Sequence, residues 1–269
     1  MGQIPQYAGG PMNRFLDTYK LAMQLLHLSM RGIGLLQSMP EVFEALVQVE
    51  NRHSPEEKDQ YEKDLVVARQ EAQLAVEQEK QGFPLLHAHT LVTIWGALEA
   101  AIEDVLLGIL MNEPHILHGA SFPKIKITLG DFENLDKEDR MRLVLSELCR
   151  DQGQGRRARG VDYFEVMLQP FGLSDAVDAE IKKNLWTVHN LRNAVVHRSF
   201  LADRRLVEAC PWLLLKPGDP IIITHEMLHE YASACPAYVS TITKRIDIKY
   251  NPTTSRFRAG AETEDNRSA

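Results

Sequence analysis

The sequence is poor in cysteine: Cys149, Cys210 and Cys235 stand far apart, with no Cys-x-x-Cys pair among them. That excludes a disulfide scaffold and reads as reduced thiols in a cytoplasmic protein. Long apolar runs are missing too. The most apolar early stretch, Leu21 to Leu36, is interrupted by Gln24, His27 and Arg31, too short and too polar to span a bilayer. Met1 to Pro11 has neither a basic start nor an apolar stretch, so no signal peptide is expected and no membrane partner. Positive charge is not in excess: 30 basic against 37 acidic side chains leave a net charge of -7. Coating of nucleic acid by bulk charge is thereby excluded, and only a local basic patch remains open. Walker-type phosphate loops, a Gly-Ser plus paired-Asp nucleotidyltransferase pattern and internal repeats are all absent. What remains is a chain of 269 residues, 44% hydrophobic and 25% charged, with ten histidines. Such a composition builds a globular core in one or two domains.

Periodicity predicts a mainly α fold. Leu16, Tyr19, Met23, Leu26 and Met30 share one face of a helix over Asn13 to Gln37. Pro40 breaks it, and Glu41 to Val49 reads as a short amphipathic helix. Ser54-Pro55, with Glu56 and Glu57 behind, opens a charged helix that Gly82 ends. Pro84 to Met111 is the most apolar helix, with Glu99, Glu103 and Asp104 embedded in it. Alternation over Lys124 to Leu129 predicts a short strand, and Lys137 to Cys149 a helix. The segment Gln152 to Gly160 reads as a flexible loop carrying Arg156, Arg157 and Arg159. Val161 to Pro170 is a short helix, and Ser174 is placed as the cap of a long one reaching His197. Trp212 to Leu215 and Ile221 to Thr224, joined across Pro217-Gly218, predict a small β-hairpin. A last helix covers His225 to Ile246, with a kink at Pro236, and the tail 251–269 reads as disordered.

The helix ending at His197 carries the most informative pattern. At about 100° per residue, Ile181, Leu185, Val188, Leu191, Ala194 and Val195 form an apolar arc suited to a core. His189, Asn193 and His197 lie on the remaining arc, four apart, flanked by Trp186, Asn190 and Arg192. Small hydrogen-bonding groups there, without the long Lys and Glu chains of a solvated face, suit a surface that meets a ligand.

Arg192-Asn193-Ala194-Val195-Val196-His197 resembles the Arg-x(4–6)-His pattern of HEPN-domain ribonucleases, and the acid within Leu91 to Glu99 is similar to that superfamily's other recurring element. The resemblance implies a HEPN-like helical bundle over 84–250, with the small hairpin, an additional helical region over 1–83 that is regulatory or partner-binding, and the disordered tail. It implies a metal-independent endoribonuclease working as a homodimer, a toxin or anti-phage defence effector, with a regulatory protein or antitoxin as a further partner. Elementary chemistry suits those residue types. A histidine, with pKa near ~6.5, is matched to moving the 2′-hydroxyl proton, and an arginine fork holds phosphate oxygens and stays charged. On this reading His197 is general acid/base, Arg192 the phosphate clamp, Asn193 a positioning group, and Glu99 orients Arg192 or tunes His197. His189 and the loop arginines Arg156, Arg157 and Arg159 contact RNA. No cofactor is expected.

Two other classes stay open. One is a non-catalytic HEPN-like interaction module in a larger complex; in a purely structural reading of the same residues, Arg192 pairs with an acid, Asn193 caps a loop and His197 sits at a helix C-terminus, where a cation is favourable. The other is a zinc metallopeptidase, because His225-Glu226-Met227-Leu228-His229 matches H-E-x-x-H. No histidine follows His229 to serve as a third ligand, and Thr224 would cap the helix directly before His225. His87-x-His89 and His115-x-x-His118 lack acidic or cysteine partners at ligand spacing.

Overall fold

The computed structural model describes residues 4–49, 55–122, 124–155 and 159–252. Ser54 and all but the first two residues of the expected tail lie outside them. The described residues are mainly helical: α1 (Gln6–Leu36), α2 (Met39–Val49), α3 (Pro55–Gln81), α4 (Pro84–Asn112), α5 (Leu129–Glu133), α6 (Lys137–Gly155), α7 (Val161–Leu168), α8 (Ala179–His197), α9 (Arg204–Ala209), α10 (His225–Ala232) and α11 (Ala234–Tyr250). Among the described residues no helix is long and apolar enough to cross a membrane. They group into two units, whose boundaries fall within α1, α4 and α10 and between Ile221 and Ile222.

One unit comprises the described residues up to Tyr19, those over Leu91–Ile221, and those from His229 on. Its core is α4, with Leu91, Ile94, Trp95, Leu98, Ile102, Leu106 and Ile109 at 1% exposure or less. The apolar side chains of α4 have to be covered, and each contributes about 1.5–3 kcal/mol relative to leaving it in water. α8 and α11 pack together, and Trp95, Phe164 of α7 and Tyr238 of α11 form a run of ring contacts at 5.4 and 6.1 Å. Tyr7 and Tyr250 both donate to Glu113 Oε1, tying the start of α1 and the end of α11 to the residue after α4. Where α1 crosses α4, Gly108 leaves no room for a side chain: a Cβ there would stand 2.4 Å from the Tyr7 carbonyl oxygen. That carbonyl lacks its usual helical donor because the residue four positions on is Pro11.

The second unit comprises Lys20–Thr90 and Ile222–Leu228. Here α2 packs on α3, Arg69 pairs with Glu44 at 2.8 Å, and Gln37 donates to Glu79. Gly82, at φ +72°, ends α3 as expected, its N–H and that of Phe83 returning to the Glu79 and Gln78 carbonyls.

Several boundaries differ from the sequence reading. α8 begins at Ala179, capped by Asp178, whose carboxylate accepts from the Glu180 and Ile181 N–H groups. Ser174 does not cap it, because the segment before Asp178 is held by other partners. Arg245 donates to the Leu173, Asp175 and Ala176 carbonyls, and Glu165 accepts from the Asp175 N–H. The final helix is two, broken at Ser233, with Pro236 in the first turn of α11, where no intrahelical N–H is required. α6 continues to Gly155, through part of the expected loop. Lys124 to Thr128 forms no strand. In place of a β-hairpin, Trp212 lies in a 3-10 turn, Leu214 is left-handed at φ 55°, and a single antiparallel bridge joins Leu201 to Pro220. The reversal is held by backbone bonds from Gly218 to Ala202 and from Ile221 to Phe200 rather than by two paired strands.

Candidate functional site

α8 sets the register of the site. Leu185, Val188, Leu191, Ala194 and Val195 are buried as their arc predicts, which turns His189, Asn193 and His197 to the opposite side. The chain after His197 then doubles back. Ser199 and Phe200 both adopt left-handed φ, 50° and 64°, a conformation costly for residues with a Cβ and characteristic of functional turns. Past that turn, Asp203 caps α9 by accepting from the Leu206 N–H, and Trp186 Nε1 donates to the Ala209 carbonyl, pinning α9 against α8. Trp212 Nε1 donates to Thr187 Oγ1 and reinforces the same junction.

Between these elements lies a cavity of about 470 Å³. His189, Asn190, Asn193 and His197 line it from α8, Arg198, Asp203 and Arg205 from the returning chain, and Arg159 from the start of the α7 segment. Three arginines thus face one acid. That acid is already engaged, with Arg198 Nε at 3.4 Å and the Leu206 amide at 2.9 Å. Arg159, Arg192 and Arg205 have no carboxylate partner among the described residues. On a chain of net charge -7 this is a local concentration of unneutralised guanidinium, suited to an anion.

A line of hydrogen bonds runs behind the cavity wall. Arg192 Nη1 donates to Asn193 Oδ1 at 3.1 Å, and Asn193 Nδ2 donates to His189 Nε2 at 3.1 Å. The His189 ring lies between Trp95, at 5.6 Å, and Trp186, stacked at 6.2 Å. Burial first, and then the Arg192 and Arg159 charges, push the His189 pKa down to about 4. It is therefore neutral at neutral pH, its proton on Nδ1 and its Nε2 free to accept. Gly160, at φ +57°, packs on Trp186, where a Cβ would sit 3.2 Å from the indole.

The expected site residues are distributed as follows. His189, Asn193, His197 and Arg159 come together on the cavity. Arg192 is half-buried and stands one hydrogen bond behind the wall. Glu99 does not line the cavity; it lies near Tyr163, whose hydroxyl pKa is raised by burial, by Cys149, by Glu103 and by Glu99 itself. Arg156 and Arg157 fall outside the described residues. Arg198, Asp203 and Arg205 were not assigned to the site from sequence, and Asn190 was placed only at its flank. An Asp203-Arg204-Arg205-Leu206 cap signature existed, but nothing in the sequence placed α9 over α8.

Among the described residues no three His, Cys, Asp or Glu side chains gather as a metal site. Thr224 Oγ1 accepts from the Met227 N–H and caps α10, so the H-E-x-x-H pattern starts in a first turn. What lies beside His225 is the buried His87, ring centres 5.7 Å apart, whose Nδ1–H donates to the Ile223 carbonyl. Burial lowers the His87 pKa. His115 and His118 lie in a 3-10 turn, Pro114–His118.

No protein family, curated protein or solved structure matches the chain.

Proposed function

We propose that the chain is a HEPN-like endoribonuclease that cleaves RNA without a metal ion. The observation that carries this reading is the cavity that unites His197, Asn193 and His189 with arginines having no carboxylate partner. His197 takes the 2′-hydroxyl proton as the 2′-oxygen bonds to phosphorus. The P–O5′ bond breaks, the 5′-oxygen leaves with the proton that His197 gives up as general acid, and the products carry a 2′,3′-cyclic phosphate and a 5′-hydroxyl. Arg159, Arg198 and Arg205 hold the phosphates along the groove. Arg192, fixed through Asn193, supplies positive charge to the pentacovalent transition state, a contribution typically worth ~10²–10³ in rate. Proton transfer by a positioned histidine adds ~10²–10⁴. The homodimer implied by the HEPN resemblance doubles the Arg/His set, the region over 1–83 serves control or partner binding, and a defence or toxin role follows from the same resemblance.

The test is incubation of wild type, Arg192→Ala and His197→Ala with total RNA in EDTA. Wild type cuts, and each variant loses at least about tenfold to a hundredfold of the rate. Activity that EDTA abolishes, or that survives Arg192→Ala in full, overturns the assignment. A second reading, an RNA-binding module that leaves its ligand intact, is favoured by one observation: Arg192 stands behind the cavity wall rather than on it. Salt-sensitive binding with no new RNA ends from wild type would select it.

A further inference from the structure

The later half of α1 is apolar on two opposite sides. Leu26 is buried at 5% exposure, and Met23 and Met30 beside it are half-buried. About half a turn away, Leu21, Leu25, Leu28 and Leu35 are 54%, 53%, 61% and 69% exposed. Their spacing of four, three and seven residues is the a/d spacing of a helix seam. The stripe is about 21 Å long, and contiguous apolar surface of this kind marks an interaction site rather than scattered exposure. The charges beside it have one sign: no acid occurs between Asp17 and Glu41, and Lys20 and Arg31 border the stripe.

The same unit carries the complement. α3 is a strongly solvated helix that nevertheless exposes Val67 and Leu74, seven residues apart, at 50% and 58%. Beside them stand Asp64, Glu71 and Glu77, against one base, Lys63, which is paired with Asp59 at 2.6 Å, and α3 as a whole has eight acidic against four basic residues. A helix seam bordered by like positive charges disfavours pairing with itself and favours an acid-bordered one.

We propose that the leucine stripe of α1 packs on the Val67–Leu74 stripe of α3 in a second copy of this chain, the pairing made reciprocal by a two-fold axis. A two-fold arrangement uses both stripes of both copies and closes the assembly, whereas one-way pairing would leave an open polymer. These residues are distinct from those of the cavity.

Sedimentation equilibrium of the full chain across the micromolar range tests this. The Leu25→Glu/Leu28→Glu double variant, changed only at exposed positions, keeps its far-ultraviolet helical signal and has half the wild-type assembly mass. Arg31→Glu and Glu71→Arg each weaken association alone, because each places like charges across the seam. Mixing those two variants restores it: in one seam the introduced glutamate meets the introduced arginine, and the other seam keeps its original pair. A wild type that is monomeric throughout overturns the proposal, as does an assembly mass that the leucine pair leaves unchanged. Recruitment of monomeric wild type to anionic lipid vesicles, lost in the leucine pair, would also overturn it and assign the stripe to a membrane surface.

Discussion

His189 shows how a residue can matter to a site while being unable to do its acid–base work. Its ring is held between two tryptophans, next to two guanidinium groups, and accepts from Asn193, so protonation is opposed by burial and by like charge. Protonating Nε2 would remove the acceptor that fixes Asn193 and, through it, Arg192. The pKa in the folded chain, about 4, lies below the ordinary value of 6.5. The stabilisation that neutral His189 confers is therefore complete above pH 6.5 and is lost as pH falls toward 4. An NMR titration of the imidazole resonances should show the His189 midpoint near 4; a midpoint near 6.5 would contradict the geometry. The spacing 189, 193, 197 made this arc legible in the sequence, because four residues are close to one helical turn. Arg198, Asp203 and Arg205 were not legible. Arg198 ends α8, and Asp203 and Arg205 reach the cavity through two consecutive left-handed residues, Ser199 and Phe200, neither of them the Gly or Asn that would signal such backbone.

At the scale of elements, periodicity located the helices well where one face is buried, and α3 and α4 begin and end within a residue of their caps and prolines. It failed where tertiary partners take over backbone groups. Ser174 is an acceptable cap, yet Arg245 claims the carbonyls around it and postpones α8 to Ala179. Arg245 is 10% and Glu165 14% exposed, and Glu165 also accepts from the Tyr238 hydroxyl. Arg245→Ala leaves that largely buried carboxylate without its cation and three carbonyls without this donor, so urea denaturation should show a loss of about 3–5 kcal/mol. A loss under half that would mean the cluster is dispensable. The hairpin expectation failed for a related reason: Pro217-Gly218 makes the turn, but Pro220 has no N–H to continue a ladder. The α1–α4 crossing gives a smaller, sharper case. Gly108→Ala drives a methyl onto the Tyr7 carbonyl and should cost about 1–3 kcal/mol by the same denaturation assay, while Gly96→Ala on the same helix, with open space around its Cβ, should be neutral or stabilising.

At the scale of the whole molecule, charge is unevenly distributed. An acidic chain gathers unpaired arginines around one cavity, and electrostatic attraction of a polyanion to that cavity should decline steeply with salt. Composition alone spoke against nucleic acid, because net charge averages away a patch of three or four side chains; only folding makes the patch visible. The central claim is that His197 and Arg192 cleave RNA through its own 2′-hydroxyl, and the chemistry of the cut ends tests it most directly. End mapping of RNA cut by wild type in EDTA should find 2′,3′-cyclic phosphates and 5′-hydroxyls, absent with His197→Ala. Ends bearing 5′-phosphate and 3′-hydroxyl, or cyclic phosphates undiminished in His197→Ala, would contradict it.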